Sequence, residues 1–286
     1  FNLMKPRVMS LVLFTCMVGL IIAPNNVSYL NSVLSLIAVA LGAGAAGTLN
    51  MWYESDLDAL MTRTCLRPIP TGQVTKNQAL FFGISLSIGS ISLLYYSSNL
   101  MSASLLLLTI CFYFFIYTVW LKRRTPQNIV IGGAAGALPP VIGWTIATGS
   151  LTIEPFILFL IIFLWTPSHF WALSIYKSND YKKAKIPMLP IIYGIEKTKK
   201  NIFIYSLLML PTISAPYFIS FLSKIYFYPA LALTIYYIYL CGKLLKVKKN
   251  KEINTLARRI FLYSIFYLFI IFLLILSDHF FMRLYG

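Results

Sequence analysis

Asn50-Met51-Trp52-Tyr53-Glu54-Ser55-Asp56-Leu57-Asp58 closes an apolar run that begins near residue 31, and it carries three of the eight acidic residues of the chain. A carboxylate beside hydrocarbon is costly unless something compensates it. Asn50, Glu54 and Asp58 recur every four residues. On a helix this spacing keeps them on one face, drifting about 40° per step. A stripe of hard oxygen donors suits Mg²⁺, and Mg²⁺ in turn holds phosphate. A regular helix rises about 12 Å over these nine residues, whereas Mg²⁺–oxygen bonds are about 2.0–2.1 Å. One ion therefore cannot be bound directly by both ends of the stripe. Either the helix loosens, or water relays one contact, or two ions are held. Two ions clamping one diphosphate is the most economical arrangement. Asp56, two residues from Glu54, points elsewhere on a helix and reads as a solvated or paired acid.

The rest of the chain sets this stripe in a membrane. Of the 286 residues, 59% are hydrophobic and 11% charged, with a mean hydropathy of +0.77. A water-soluble domain needs more polar surface, so the class is an all-α polytopic membrane protein. Nine spans near the required length of about 20 residues can be drawn: 8–24, 31–53, 77–97, 101–120, 127–148, 154–176, 202–222, 226–245 and 257–278. With the N-terminus in the cytoplasm, every Lys and Arg except Lys224 and Arg283 falls on the inner side, out of 24 in all. So strong a bias supports both the count and the orientation. It also argues against nucleic acid as the reason for the +16 net charge, because the basic residues sit in short loops between spans. The Lys-rich loop 243–259 reads as a topogenic segment facing lipid headgroups. Cys16, Cys65, Cys111 and Cys241 are scattered, with no zinc or CxxC spacing. Phe1 is not an initiator Met, which leaves room for a trimmed start, and the absence of a signal or transit segment decides nothing.

The remaining polar signals gather on the same side. Arg63-Thr64-Cys65-Leu66-Arg67-Pro68 follows the stripe, stiffened by proline and supplying guanidinium groups that suit phosphate oxygens. Lys122, Arg123 and Arg124 lie between spans four and five, and His169, Lys177 and Asp180 close span six. Structural ion pairs are the plain alternative for these groups. His169, about two turns inside its span, either coordinates a ligand or is a hydrogen-bonded packing residue. His279 reads as interfacial. Gly132, Gly133 and Gly136 in span five serve close helix packing, or leave space for a flat ring system.

These residues, in this order, resemble the UbiA-type intramembrane prenyltransferases. The first motif of that family matches Asn50-xxx-Glu54-xxx-Asp58 with Met61-Thr62-Arg63-Thr64 and Arg67-Pro68. The sequence is more narrowly similar to the protohaem IX farnesyltransferase (haem O synthase) branch. That similarity runs through Lys5-Pro6-Arg7-Val8-Met9, Tyr117-Thr118, Leu121-Lys122-Arg123, Thr125-Pro126-Gln127-Asn128 and Gly132-Gly133. It continues in Gly143-Trp144, Trp165-Thr166-Pro167-Ser168-His169-Phe170 and Asp180-Tyr181, and ends with Pro187-Met188-Leu189-Pro190. Beyond residue 190 only hydrophobic segments match. Glu54 stands where the pattern usually has Asp, which changes reach more than chemistry. Asp180 is alone where the wider superfamily has paired acids, and Lys185 sits where the branch often has Gly.

The resemblance implies one transmembrane prenyltransferase domain over 1–286, its nine helices surrounding a central cavity open near the cytoplasmic face. It implies Mg²⁺ as cofactor, held by Asn50, Glu54, Asp58 and Asp180, which would also be the catalytic residues. Arg63, Arg67, Lys122 and Arg123 would bind diphosphate, and His169 would contact haem. Farnesyl diphosphate and haem B would be the substrates and haem O the product, passed on to haem A synthase or to terminal oxidase assembly. The expected setting is a bacterial inner membrane with the N-terminus cytoplasmic and the C-terminus outside, or alternatively the mitochondrial inner membrane. Two other readings stay open: a UbiA-type transferase acting on a quinone-precursor ring, and a non-catalytic haem or lipid carrier. Mg²⁺-dependent release of diphosphate separates enzyme from carrier, and acceptor choice separates the transferases.

Overall fold

The computed structural model describes residues 2–285, and among them there is no β-strand. Phe1, Gly286 and the side chains of Arg7, Val8 and Tyr285 lie outside the described set, so the Arg7 and Val8 side chains of the N-terminal motif are not described. The chain runs through α1 (Pro6–Ile22), α2 (Tyr29–Tyr53), α3 (Ser55–Leu60), α4 (Lys76–Ser97) and α5 (Leu100–Cys111). A π-helical segment, Phe112–Leu121, continues α5. There follow α6 (Asn128–Ala137), α7 (Pro139–Thr148), α8 (Ile153–Tyr176), α9 (Ser178–Lys183), α10 (Leu189–Ile192), α11 (Gly194–Phe218), α12 (Lys224–Lys246) and α13 (Asn250–Tyr285).

Helix starts follow local chemistry. Ser28 caps α2 by accepting from Asn31 N, and Thr75 and Gln78 form a reciprocal capping box at α4. Pro6 opens α1, and Pro139-Pro140 opens α7, where the lost N–H donors have no intrahelical partner anyway. The same prolines break the fifth expected span at Leu138 into α6 and α7.

Eight helices, counting α5 with its π segment and α6 with α7 as continuous units, are long and apolar enough to cross a bilayer among the described residues. The ninth expected span is α1, whose 17 residues are shorter than the others. Its rise of about 26 Å falls just under the ~30 Å hydrocarbon thickness. The structure thus has eight helices of spanning length and one shorter apolar helix, where nine equal spans were expected. Several helices also outrun the apolar spans. α11 begins eight residues before its span and α13 seven before, each carrying Lys or Arg in the extension.

α2 packs on α4, α1 on α7, and α8 is surrounded by α6, α11 and α13. α13 also meets α1, so the first and last helices close the bundle. The α1–α7 crossing is backbone to backbone. A Cβ on Gly143 would lie 1.9 Å from Cys16 O, and one on Gly19 would lie 2.1 Å from Pro140 O. Only glycine permits that approach. Large apolar side chains such as Phe81, Ile88, Leu108 and Phe266 face outward on several helices, which suits a lipid surround.

Candidate active site

A cavity of about 960 Å³ occupies the bundle. One part of its wall is polar, formed by Lys5, Asn50, Glu54, Asp58, Arg63, Arg67 and Lys122. The remainder is apolar and aromatic, including Tyr113, Tyr117, Trp165, Phe170, Phe261 and Phe266. Leu262, Ile265, Phe266 and Phe269 of α13 line it and are exposed.

The acidic stripe does not lie on one unbroken helix. α2 ends at Tyr53, Glu54 sits at the junction with φ −96° and ψ 12°, and α3 starts at Ser55. Backbone bonds still bridge the joint: Glu54 N donates to Asn50 O at 3.0 Å, and Asp58 N to Glu54 O at 2.8 Å. The helix is thus interrupted at the middle ligand candidate, and all three side chains reach one cavity.

Each of these side chains already meets a cation or a hydroxyl. Lys5 Nζ donates to Asn50 Oδ1 at 2.5 Å, and Asn50 Nδ2 donates to Thr118 Oγ1 at 3.1 Å. Lys122 Nζ meets Glu54 Oε2 at 2.5 Å, while Glu54 Oε1 is buried with no partner. Arg67 Nη1 alone reaches both Asp58 oxygens, at 2.8 and 2.7 Å. These bonds to Asp58 use only Nη1 of Arg67, and a guanidinium has further N–H donors to offer a ligand. Arg63 lines the cavity and is exposed, with no hydrogen bond or ion pair among the described residues. Burial, reinforced by the nearby Arg67 and Lys122 charges, pushes the Lys5 ammonium down to about 7.

Two expected residues stand apart from the cavity wall. Arg123 grips Asp56 with both terminal nitrogens, at 3.1 and 2.9 Å, and lies over the Tyr53 ring at 5.3 Å. Partial burial raises the Asp56 pKa, but the Arg123 hydrogen bond and charge outweigh it and leave the carboxyl below its usual range. Asp180 is buried and accepts from Thr62 Oγ1 at 2.8 and 2.9 Å. It does not line the cavity, although its neighbour Tyr181 does, as do Met61 and Arg63 on either side of Thr62. Asp180 thus ties the α8–α9 corner to the loop after the stripe. Among the described residues no three His, Cys, Asp or Glu side chains gather as a metal cluster.

Lys122 owes its place to the π-helical segment. On an α-helix it would sit about 140° around from Tyr117. The π register hydrogen-bonds residues five apart and so brings them closer to one face. Lys122 N donates to Tyr117 O at 2.9 Å, and Thr118 Oγ1 to Tyr113 O at 2.9 Å. Tyr113, Tyr117 and Lys122 consequently line the cavity together, and Thr118 reaches Asn50. Sequence reasoning missed Tyr113, and it placed Thr118 and Lys5 in motifs, Lys5 also as an inner-side charge, without giving either a site role.

The glycines of α6 differ in role. A Cβ on Gly132 would lie 2.2 Å from the Tyr117 ring and one on Gly133 2.9 Å from Thr166, whereas a Cβ on Gly136 would meet nothing within 4 Å. Gly132 and Gly133 are packing positions, and Gly136 faces open cavity. His169 lines the cavity between the stacked rings of Trp165 (4.3 Å) and Phe261 (4.7 Å), with Nδ1 2.6 Å from Ser264 Oγ.

The UbiA prenyltransferase family matches residues 12–276, nearly the whole chain. This chain belongs to that family. One UbiA-family relative, from Pelagibacter ubique (strain HTCC1062), is described as protoheme IX farnesyltransferase. It is 66% identical over 97% of this chain and 92% of its own length. A protein of the same description from Parvibaculum lavamentivorans is 49% identical over 97% of this chain and 87% of its own. Among solved structures, one described as digeranylgeranylglyceryl phosphate synthase superposes with a TM-score of 0.80 at 20% identity, covering 97% of this chain and 96% of that one. A UbiA homolog from Archaeoglobus fulgidus, bound to DMAPP and Mg²⁺, gives 0.69 at 17% identity, covering 93% and 98%. At those identities the likeness establishes the fold: an all-helical, multi-pass membrane architecture.

Proposed function

We propose that this UbiA-family chain transfers the farnesyl group of farnesyl diphosphate to a vinyl group of haem B. Water addition and release of diphosphate then give haem O. The observation that carries the reading is the two-part cavity: anion-handling groups in one part of its wall, and an apolar, aromatic lining in the rest. The 66% identical relative named for this reaction supports the choice of acceptor.

The chemistry follows from the parts. The C–O bond between farnesyl C1 and diphosphate breaks, and negative charge grows on the leaving group. Arg67 and Lys122, held by Asp58 and Glu54, face that charge from fixed positions, and exposed Arg63 is free to close on it; preorganised cations lower the barrier. We assign Arg123 as an outer diphosphate contact, reached when its pair with Asp56 opens. The allylic cation left behind is attacked by the vinyl group, forming a C–C bond. Tyr113, Tyr117 and Trp165 offer π faces to the cation and exclude bulk water until then. One water then adds to the new cation and loses a proton, completing the hydroxyethylfarnesyl group.

Asn50, Glu54 and Asp58 are hard oxygen donors facing one space, and the unpartnered, buried Glu54 Oε1 is an acceptor waiting for a cation. They fit Mg²⁺, with Asp180 assigned as the more distant ligand behind Thr62. Bound there, Mg²⁺ would neutralise diphosphate charge as a Lewis acid. Lys122 and Arg67 pair with Glu54 and Asp58, and Lys5 donates to Asn50. We place the protein in a bacterial inner membrane with these residues on the cytoplasmic side, the arrangement the loop charges favour, and haem O passing to haem A synthase or oxidase assembly.

The test is purified protein in lipid nanodiscs with farnesyl diphosphate, haem B and Mg²⁺, read by mass spectrometry. Haem O and diphosphate should appear in equal amounts and cease with chelator. Prenylation of a quinone-precursor ring instead of haem B would overturn the acceptor. Haem binding without diphosphate release would make the protein a carrier.

A further inference from the structure

The surroundings of His169 determine which of its nitrogens carries the proton. Trp165 and Phe261 sandwich the imidazole, and Phe170 meets it edge-on at 4.9 Å. Trp165 is itself pinned, its Nε1 donating to Ser264 O at 2.9 Å. The ring plane is therefore fixed, and only the tautomer is left to set. Ser264 Oγ lies 2.6 Å from His169 Nδ1 and 2.7 Å from Phe261 O. A serine hydroxyl has one proton. Phe261 O can only accept, so that proton goes to the carbonyl. Were it given to Nδ1 instead, two oxygen lone pairs would face each other at 2.7 Å. Ser264 Oγ is left as an acceptor, and His169 Nδ1–H must donate to it.

We propose that Ser264 is a positioning residue. It locks His169 in the Nδ1–H tautomer and so presents the Nε2 lone pair to the cavity as an axial ligand for the iron of the haem acceptor. Nε2 has no hydrogen-bond partner among the described residues, and the ring lines the cavity. Neutral imidazole ligates iron through an unprotonated nitrogen, and the hydrogen bond made by the other nitrogen decides which one is available. The seam is built for this. Ser264 sits on α13 and His169 on α8, so the lock spans two helices that also wall the chamber. An iron held there fixes the height of the porphyrin in the cavity, and with it the vinyl group that must meet the farnesyl cation. The inference rests on haem B as the acceptor.

The chain has two histidines, so ¹⁵N-histidine labelling gives a simple spectrum. His279→Gln identifies the His169 signals. In haem-free wild-type protein in nanodiscs the protonated nitrogen should be Nδ1. In Ser264→Ala, which keeps the main-chain bond to Trp165, the proton should move at least partly to Nε2. Ferric protohaem should then give a nitrogen-ligated optical and EPR signature in wild type, lost in His169→Ala. Its affinity should fall about 10–100-fold in Ser264→Ala and recover in Ser264→Thr. A wild-type His169 protonated on Nε2 would overturn the assignment, as would an unchanged haem signature and affinity in Ser264→Ala. Wild-type protein that fails to bind protohaem would sink the acceptor reading and the ligand role with it. Protein that binds and farnesylates protohaem with the wrong tautomer would sink only the part given to Ser264.

Discussion

Lys122 Nζ lies 2.5 Å from Glu54 Oε2, while Glu54 Oε1, equally buried, has no partner. One oxygen is thus neutralised by protein and the other is left for a cation. Glu54→Gln removes the charge but keeps the shape. Turnover should fall about 100- to 1000-fold, the usual loss when one electrostatic stabiliser is removed. Lys122→Gln should chiefly weaken farnesyl diphosphate. Steady-state rates with haem B, beside circular dichroism to confirm folding, check both. Near-normal turnover in folded Glu54→Gln would refute the metal role.

The Arg123–Asp56 pair is exposed and should contribute less than about 1 kcal/mol to stability. Asp56→Asn frees Arg123 without touching the cavity, so thermal stability should hold and KM for farnesyl diphosphate should stay level or fall. Arg123→Ala should raise that KM. If both variants match wild type in KM, Arg123 has no contact with diphosphate.

Gly136 faces open cavity, whereas Gly132 is packed on Tyr117. Gly136→Leu should therefore suppress use of haem B while leaving farnesyl diphosphate affinity nearly unchanged. Gly132→Leu should damage both, because it displaces the Tyr117 ring. Separate binding titrations for the two substrates decide this. Equal loss of both in Gly136→Leu would show that the porphyrin does not use that space.

Lys185 has φ 52°, in the left-handed region that favours glycine. The sequence departs here from a pattern that often has Gly, and the backbone explains the pattern. A non-glycine residue in this region costs about 1–2 kcal/mol. Lys185→Gly should return part of that as a higher melting temperature in detergent, with turnover retained. A lower melting temperature would show that the lysine side chain contributes more than the strain.

The cavity wall shows where sequence reasoning stopped. Asn50, Glu54 and Asp58 were legible because their spacing matches a helix repeat and acids are rare in this chain. Lys122 was legible as a charge, but its direction depends on a π register that no α-periodic reading contains. Tyr113 was missed, and Thr118 was left without a site role, for the same reason. Ser264 lies 95 residues from His169, on an apolar helix with no motif around it, so nothing local marked it.

The sequence by itself determined the membrane class, the helical architecture, the side on which charge gathers and the acidic stripe. Those properties come from composition and from periodicities of a few residues, which act through the nearest neighbours along the chain. The tertiary structure decided which cation meets which acid, that Asp180 turns to Thr62 and Arg123 to Asp56, that α6 keeps open space at Gly136, and which nitrogen of His169 meets Ser264. Those outcomes depend on helices far apart in sequence closing to hydrogen-bonding distance. At that range a shift of one register exchanges every partner.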